Sequence, residues 1–332
     1  MLQRGLRRWL GLPPRRFAVV EEPAAVPLAD GVRLATTLLR PSDGGRHPTL
    51  LLRTPYGARA FPPLLRMLGR LLAESGYNVA LQDVRGRYAS EGRFAPFENE
   101  AADGADTLSW IAKQPWFAGR VGLFGLSYLG YAAWAALGRS PVPIDALVVG
   151  IGSRDLYATF YTAGVFGLAT SLEWAVGVGR RESLPARRLD LARGLQHRPL
   201  IEADRVTHHR SDAFQDWLAH PTRDAYWNGL LPPLPERMPP TLLLAGWYDF
   251  FLAPQLADHA ASTRAGADVR LVIGPWRHGQ AASREGRRRD ARFAGVLLSE
   301  TLSFCDRVLR DEPPALRGAA VRAFVPGEGW QA

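Results

Sequence analysis

The stretch of sequence that decides the fold is Val121-Gly122-Leu123-Phe124-Gly125-Leu126-Ser127-Tyr128-Leu129-Gly130. A short apolar run bounded by glycines leads to Ser127, and the alanine-rich segment from Tyr131 to Leu137 that follows favours a helix. Gly125, two residues before the serine, has no side chain to obstruct a strained turn. The pattern therefore predicts a strand, a sharp turn that carries a serine, and a helix.

This order of elements is the one found at the nucleophile elbow of α/β-hydrolases. The helix directs its free N–H groups, and the positive end of its dipole, towards charge that develops on a substrate oxygen. The usual G-x-S-x-G spacing is altered here, because Leu129 occupies the place of the second glycine and Gly130 follows it. The alternative interpretation is an ordinary strand-to-helix turn in which Ser127 caps the helix.

Length and composition limit the class of protein. With 332 residues, 47% of them hydrophobic, the chain can build a large core, or one core with an inserted subdomain. Cys305 is the only cysteine, which excludes an intrachain disulfide, gives no indication of an oxidising compartment and favours the cytoplasm. No apolar run approaches the roughly 20 residues of a membrane span. The basic segment 1–10 lacks the apolar core of a signal peptide, so a solvated leader is predicted in preference to a membrane-surface helix.

The charge balance raises nucleic acid as a partner and then argues against it. The formal net charge is +9 and the isoelectric point is about 10.2, with Lys113 as the only lysine. The arginines are scattered, do not alternate with aromatic residues in any one stretch, and accompany no nucleic-acid-binding motif. We therefore predict that the chain does not bind nucleic acid.

Apolar runs of strand length alternate with helical patterns over most of the chain, which predicts a mainly parallel sheet with helices on both faces. An antiparallel pair is expected at Val26–Arg40, around the turn signal Asp30-Gly31. Further strands are expected at Pro48–Arg53, Asn78–Gln82, Ala146–Gly150, Thr241–Ala245 and Val269–Ile273. Helices are expected at Phe61–Ser75, Glu100–Gln114 and Phe293–Leu309.

The pattern changes in the middle of the chain. From Ile151 to about Pro239 there is no strand-like run, and helical stretches rich in leucine and aromatic residues are broken by glycine and proline. Insertions at the carboxyl edge of such a sheet form lids over the site. We therefore predict a hydrolase core whose first part is 1–150, a helical cap at 151–239, and a second part of the core at 240–318.

A serine nucleophile needs a base, and the base needs a carboxylate that orients it. In α/β-hydrolases these groups follow the serine along the chain, in loops after later strands. Asp249 follows the strand Thr241–Ala245, and His278 alone among seven histidines lies just past a buried strand near the end of the sheet. The alternative for Asp249 is a helix cap for the segment near Leu252. No clustered histidine and cysteine ligand set appears, so no metal or cofactor is predicted.

Several blocks resemble the CocE/NonD hydrolases, the α/β-hydrolase family of bacterial cocaine esterases and X-prolyl dipeptidyl peptidases. The serine block with its late glycine is the form found in that family, so Leu129 is no objection. The other matching blocks are Arg53-Thr54-Pro55-Tyr56-Gly57, Gln82-Asp83-Val84-Arg85-Gly86, Ser90-Glu91-Gly92, Gln114-Pro115-Trp116, Gly246-Trp247-Tyr248-Asp249 and Gly274-Pro275-Trp276-Arg277-His278.

The resemblance implies a role for each of seven residues. It implies Ser127 as nucleophile, His278 as general base and then acid, and Asp249 as the group that orients His278. It also implies an oxyanion hole made by the Tyr56 hydroxyl and the Tyr128 backbone N–H. Phe251 and Trp174 match an apolar acyl pocket, although either could instead be core, as Tyr56 could be a packed turn residue. Asp83 and Arg85 are interpreted as a structural ion pair or turn.

Members of this family usually continue into a β-rich jelly-roll domain. Residues Ala320–Trp330 resemble its first strand, so 319–332 is expected to be a remnant of that domain, and the domain itself is expected to be absent. The predicted activity is hydrolysis of an ester or amide through an acyl-enzyme, on a small-molecule ester or short peptide. Dipeptide release after proline is the alternative, and it requires an acidic pair that holds the substrate amine. An inactive, hydrolase-like binding module is the alternative of another class.

Overall fold

The computed structural model describes residues 2–60, 64–278, 286–313 and 320–332. Within them, ten strands form one sheet in the order β1-β2-β4-β3-β5-β6-β9-β10-β11-β12. The strands are β1 (Val19–Pro27), β2 (Arg33–Pro41), β3 (His47–Thr54), β4 (Asn78–Asp83), β5 (Phe117–Leu126), β6 (Ala146–Gly150), β9 (Thr241–Tyr248), β10 (Val269–Arg277), β11 (Val321–Val325) and β12 (Gly329–Gln331). The two remaining strands, β7 (Tyr161–Thr162) and β8 (Val165–Phe166), form a separate hairpin.

The sheet is parallel from β4 to β11 in spatial order and antiparallel at its two edges, where β1, β2 and β12 lie. Helices cover both faces, so the predicted α/β-hydrolase architecture is confirmed. Core helices are α1 (Leu2–Trp9), α2 (Leu64–Ala73), α3 (Glu100–Ala112), α4 (Tyr128–Gly138), α11 (Leu252–Arg264) and α12 (Gly286–Arg310). The predicted helix Phe61–Ser75 begins in residues 61–63, which lie outside the described part.

Continuous apolar strands are explained by burial on both faces of the sheet. Along β9, Leu242 and Leu244 pack into the core beneath α2 and α12, whereas Leu243 packs into the opposite core with α3 and α4. All three leucines are completely buried. Because successive side chains of a strand point to opposite faces, one uninterrupted leucine run serves both cores.

The segment between β6 and β9 is helical, with α5 (Leu156–Phe160), α6 (Leu168–Val178), α7 (Leu191–Gln196), α8 (Ala203–Thr207), α9 (Asp212–Ala219) and α10 (Ala225–Gly229). The expectation that it contains no strand is wrong in one place, the β7–β8 hairpin. Ala163 and Gly164 both have positive φ, 50° and 81°, which a two-residue hairpin turn requires. Strands of two residues are too short to leave a periodic pattern in the sequence.

The N-terminal segment is not a solvated leader, which corrects the prediction. Arg7 is 4% exposed and pairs with the buried carboxylate of Glu74 at 3.2 Å, and it also donates to the Ser75 hydroxyl. Leu10 and Leu12 are buried in the core beneath α2 and α12. The basic composition of the segment led to the prediction that it is exposed. That prediction failed because composition does not reveal whether a basic residue has a buried acidic partner.

The C-terminal residues extend the main sheet. β11 pairs in parallel with β10, and β12 folds back on β11 as a hairpin. The buried carboxylate of Glu300 on α12 binds Arg322 of β11 and Arg270 of β10, both at 3.0 Å. The predicted boundary between 318 and 319 lies outside the described residues. In the described part of the chain, no helix is long and apolar enough to cross a membrane.

Candidate active site

Ser127 lies at the turn between β5 and α4 with φ 54° and ψ −121°, a strained conformation for a residue other than glycine. The turn is tight enough that a Cβ on Gly125 would lie 2.0 Å from the carbonyl oxygen of Leu129. A Cβ on Gly130 would lie 2.9 Å from a methyl group of Val149 in β6. Gly130 therefore lets α4 pack closely on the neighbouring strand β6. Because Gly130 makes this close approach, the preceding position does not need to be a glycine and can be Leu129.

The structure brings Ser127, His278 and Asp249 together. The Ser127 Oγ lies 3.0 Å from Nε2 of His278, and Nδ1 of the same ring lies 3.0 Å from Oδ2 of Asp249. The Asp249 carboxylate is buried, whereas the His278 side chain is 25% exposed. With its proton on Nδ1, the imidazole donates to Asp249 and leaves Nε2 to accept from the serine hydroxyl.

Asp249 makes a second contact within its own loop, but it is not the cap of α11, because Phe251 occupies that position. Its Oδ1 accepts the Phe251 N–H at 2.9 Å, one residue before α11 begins. One carboxylate oxygen of Asp249 therefore holds the loop before α11, and the other contacts His278. The contact with His278 is possible because β9 and β10 are adjacent and parallel, so their carboxyl ends lie side by side.

Tyr128 is the first residue of α4, a position whose backbone N–H has no acceptor within the helix. Its side chain is buried and donates from the hydroxyl to Oε1 of Glu100 at 2.7 Å. Glu100 is also buried and pairs with Arg53 at 2.6 Å. This network anchors the residue after the serine, and sequence reasoning missed Glu100 because it lies 28 residues away at the start of another helix.

Tyr56 lies in the turn after β3, and its hydroxyl oxygen accepts the Trp174 Nε1–H at 2.9 Å. Burial raises the pKa of Tyr56, against smaller opposing effects of hydrogen bonds to Trp174 and Ser127 and of the Arg87 charge. The phenol therefore remains protonated at neutral pH. Because Trp174 occupies a lone pair of the oxygen, the phenol proton is left to donate elsewhere.

A cavity beside Ser127 is lined by aromatic side chains. Phe251 and Trp174, the predicted pocket residues, both line it, and Trp174 stacks on Tyr128 with ring centroids 5.6 Å apart. Sequence reasoning missed two other lining residues, Phe97, which stacks on Trp174, and Phe250, which contacts the His278 ring at 4.5 Å. Phe250 could have been found from its place beside Asp249, whereas Phe97 gives no local signal.

The described residues that line this cavity include no aspartate, glutamate, lysine or arginine. Hydroxyl groups of Thr159 and Ser171 belong to the lining, but both donate to backbone carbonyls of their own helices or caps. The cavity therefore suits an uncharged, largely apolar group. Elsewhere in the described part of the chain, no group of three or more His, Cys, Asp or Glu side chains is arranged to hold a metal ion.

Asp83 and Arg85 bind different partners and do not form an ion pair with each other. Arg85 pairs with Asp103 and Asp30, both at 2.6 Å. Asp83 is buried, and its Oδ1 accepts the Ala58 N–H in the turn that carries Tyr56. Neither side chain touches the cavity beside Ser127.

Asp83 predicts a pH dependence of stability. Burial raises the pKa of Asp83 to about 6, above the roughly 3.9 of an unfolded chain. The folded protein thus binds this proton more tightly, so its stabilising contribution is complete below about pH 4 and is lost as the pH rises through about 6. The unfolding free energy of wild type, relative to that of Asp83→Asn, should fall by roughly 2 kcal/mol between pH 4 and 7.

Chemical denaturation at each pH measures this difference, with the exposed Glu236→Gln as the control for loss of one negative charge. A difference that stays constant, or grows with pH, would mean that the carboxylate is held as a stabilising anion.

The sheet order, the serine at the turn after β5 and the helices on both faces define an α/β-hydrolase. The sequence profile of the X-Pro dipeptidyl-peptidase (S15) family matches residues 30–280. The chain belongs to this family of serine hydrolases, in agreement with the predicted CocE/NonD relationship.

Individual relatives agree with this assignment. The cocaine esterase of Rhodococcus sp. (strain MB1 Bresler) is 35% identical over 92% of this chain. An aminopeptidase of a marine-sediment Thaumarchaeota archaeon and an α-amino acid ester hydrolase share the fold over 95% of the chain, each with a TM-score of 0.75, at 24% and 22% identity. The chain spans 58% of the length of each of these three proteins.

Proposed function

We propose that this chain hydrolyses an ester through an acyl-enzyme, with Ser127 as nucleophile, His278 as general base and Asp249 as the carboxylate that orients it. The observation that carries the proposal is the pair of 3.0 Å contacts that join Ser127, His278 and Asp249 in sequence. Family membership supports it independently.

In the acylation step, the Ser127 oxygen attacks the carbonyl carbon while its proton passes to Nε2 of His278. The imidazolium that forms is stabilised by the adjacent carboxylate of Asp249. His278 then gives this proton to the leaving alcohol, and the acyl group remains on the serine. In deacylation, water gives a proton to His278, attacks the acyl carbon and releases the acid, with the proton returned to Ser127.

Two donors are proposed to stabilise the oxyanion in both steps, the Tyr56 hydroxyl and the Tyr128 backbone N–H. Trp174 donates to the Tyr56 oxygen, so the phenol keeps its own proton as a donor. The Tyr128 N–H lies at the positive end of the α4 dipole. Losing one such donor typically costs about 3 kcal/mol of transition-state stabilisation.

An ester with an uncharged, apolar acyl group is the proposed substrate, with Phe251 and Trp174 in contact with it. The absence of a carboxylate among the described lining residues of the cavity supports this choice, because a peptide amine needs an acidic partner. The name of the Rhodococcus relative, cocaine esterase, points to the same chemistry. The family name favours dipeptide release after proline as the second candidate.

Hydrolysis of a short aryl ester compared with that of an X-Pro anilide tests this proposal, together with labelling by a fluorophosphonate. We expect the chain to be labelled and the kcat/KM for the ester to exceed that for the anilide by at least about 100-fold. This ratio corresponds to about 2.7 kcal/mol, which is a modest penalty for burying the anilide's amine without a partner. A larger kcat/KM for the anilide would favour the peptidase. If the chain is not labelled and hydrolyses neither compound, the binding module would be favoured.

Two further proposals concern the setting of this reaction. We propose that residues 151–239 act as a cap, since helices α5 to α10 fall in this range and Trp174 of α6 lines the cavity. We also propose that the enzyme works in the cytoplasm, where a single thiol such as Cys305 remains reduced.

A further inference from the structure

Arg87, which follows β4, is a buried cation that makes no ion pair within 4 Å in the described part of the chain, although the buried Asp83 carboxylate acts on it from a longer distance. Its side chain is 0% exposed, and all three of its hydrogen-bond acceptors are neutral. Nε donates to the Pro55 carbonyl at 2.7 Å, Nη1 to the Val178 carbonyl at 2.6 Å, and Nη2 to the Ser183 hydroxyl at 2.8 Å. Burial accordingly lowers the pKa of Arg87.

Burying a cation in this way is unfavourable unless its hydrogen bonds are satisfied in good geometry. The guanidinium lies over the rings of Phe94 and Tyr88, at 5.0 and 5.3 Å from their centroids, which offsets part of the cost. A hydrophobic side chain of the same volume would fill this space without any desolvation penalty. The arrangement of its acceptors therefore needs an explanation beyond packing.

Two of these acceptors belong to the segments that carry Tyr56 and Trp174. Pro55 immediately precedes Tyr56 in the turn after β3, and Val178 lies one helical turn after Trp174 on α6. Trp174 in turn donates to the Tyr56 hydroxyl at 2.9 Å. The contacts close a ring that runs from the turn through Tyr56 and Trp174 to the end of α6, and back through Arg87.

We propose that Arg87 is a positioning residue, which sets the Tyr56 hydroxyl by joining the turn after β3 to helix α6. The inference rests on the proposed oxyanion role of Tyr56. A planar guanidinium presents its donors in a fixed arrangement, so one side chain determines the separation of the two carbonyls. A terminal carbonyl of α6 also attracts a cation, because it carries the negative end of the helix dipole. Lysine has a single nitrogen and cannot reproduce this connection.

The consequence is a link between the cap and the proposed chemistry. If α6 moves relative to the turn, Trp174 leaves the Tyr56 oxygen, and the phenol proton loses its fixed direction. A displacement of about 1 Å at such a group can lower the rate about 100-fold. The effect falls on the transition state, and therefore on kcat, because the oxyanion does not exist in the bound ester.

The test measures kcat and KM for an aryl ester, and thermal unfolding, in Arg87→Met, Arg87→Lys and the same substitutions in a Tyr56→Phe background. We expect Arg87→Met to lower kcat at least about tenfold with KM changed less than about threefold, and Arg87→Lys to restore it only in part. In the Tyr56→Phe background the further loss should be less than about threefold, because the group that Arg87 positions is gone. Ser183→Ala, which removes the one Arg87 acceptor outside the ring, should change kcat less than about twofold.

An unchanged kcat in Arg87→Met, a loss confined to KM, or a loss of equal size with and without the Tyr56 hydroxyl would each overturn the inference. If Arg87→Met does not fold, Arg87→Lys decides by the same comparison with and without the Tyr56 hydroxyl. A wild-type chain that neither turns over the ester nor reacts with a fluorophosphonate would overturn the proposed function itself, which is a separate outcome.

Discussion

Ser127→Ala is expected to lower kcat/KM for an aryl ester by at least about 10⁴-fold and to abolish labelling by a fluorophosphonate. The serine oxygen forms the covalent bond in the proposed reaction, and no other described hydroxyl lies within hydrogen-bonding distance of His278 Nε2. The residual rate comes from the oxyanion donors and from substrate binding. Initial rates at several ester concentrations, with intact mass before and after labelling, measure both effects.

A second substitution makes this test sharper. His278→Ala alone should lower the rate about as much as Ser127→Ala, and the double variant should lose little more, because the two groups act as one unit. Ser140→Ala is the matched control, since this hydroxyl donates to the Val142 carbonyl in a turn away from the site. Full labelling of Ser127→Ala, or independent and multiplicative losses in the double variant, would refute the proposed nucleophile.

Tyr56→Phe is expected to lower kcat for the same ester by about 10²- to 10³-fold, with little change in KM. The substitution keeps the ring and removes only the hydroxyl proposed to donate to the oxyanion. The donor acts on charge that exists only in the transition state, so the loss should appear in kcat. Steady-state kinetics over a wide range of ester concentrations separate kcat from KM.

Tyr161→Phe is the control for this experiment. Like the Tyr56 hydroxyl, the Tyr161 hydroxyl makes a hydrogen bond to a residue of the segment between β6 and β9, in this case by donating to the Trp217 carbonyl at 2.8 Å. Tyr161 does not line the cavity beside Ser127. We expect this variant to change kcat less than about threefold. If Tyr56→Phe raised KM and left kcat intact, the hydroxyl would be a ground-state contact and the second oxyanion donor would have to be sought elsewhere.

These expectations follow from a site built by several separate parts of the fold. The serine comes from the turn after β5, the histidine and aspartate from the carboxyl ends of β10 and β9, and the tyrosine hydroxyl from the turn after β3. Trp174 comes from α6, between β6 and β9, and it touches both the Tyr56 hydroxyl and the Tyr128 ring. The inserted segment therefore contacts the Tyr56 hydroxyl and the side-chain ring of Tyr128, as well as lining the apolar cavity.

The sequence alone was sufficient for the parts of this protein that depend on local pattern. Uninterrupted apolar runs such as Thr241–Ala245 indicated strands buried on both faces, and the glycines around Ser127 indicated a tight turn. Chain order placed Asp249 and His278 after later strands. Each of these inferences uses residues close together in the chain, where backbone conformation and the direction of burial leave a regular trace.

What the tertiary structure decided concerns pairs of residues far apart in the chain. Arg7 is buried because it forms an ion pair with the buried Glu74. Glu100 accepts a hydrogen bond from the Tyr128 hydroxyl. Arg87 donates to the carbonyls of Pro55 and Val178. Periodicity and composition describe how polar a segment is, but not which group it will meet. That choice depends on how α6 packs against the turn after β3, and on the balance between desolvating a charge and satisfying its hydrogen bonds, which only the assembled fold determines.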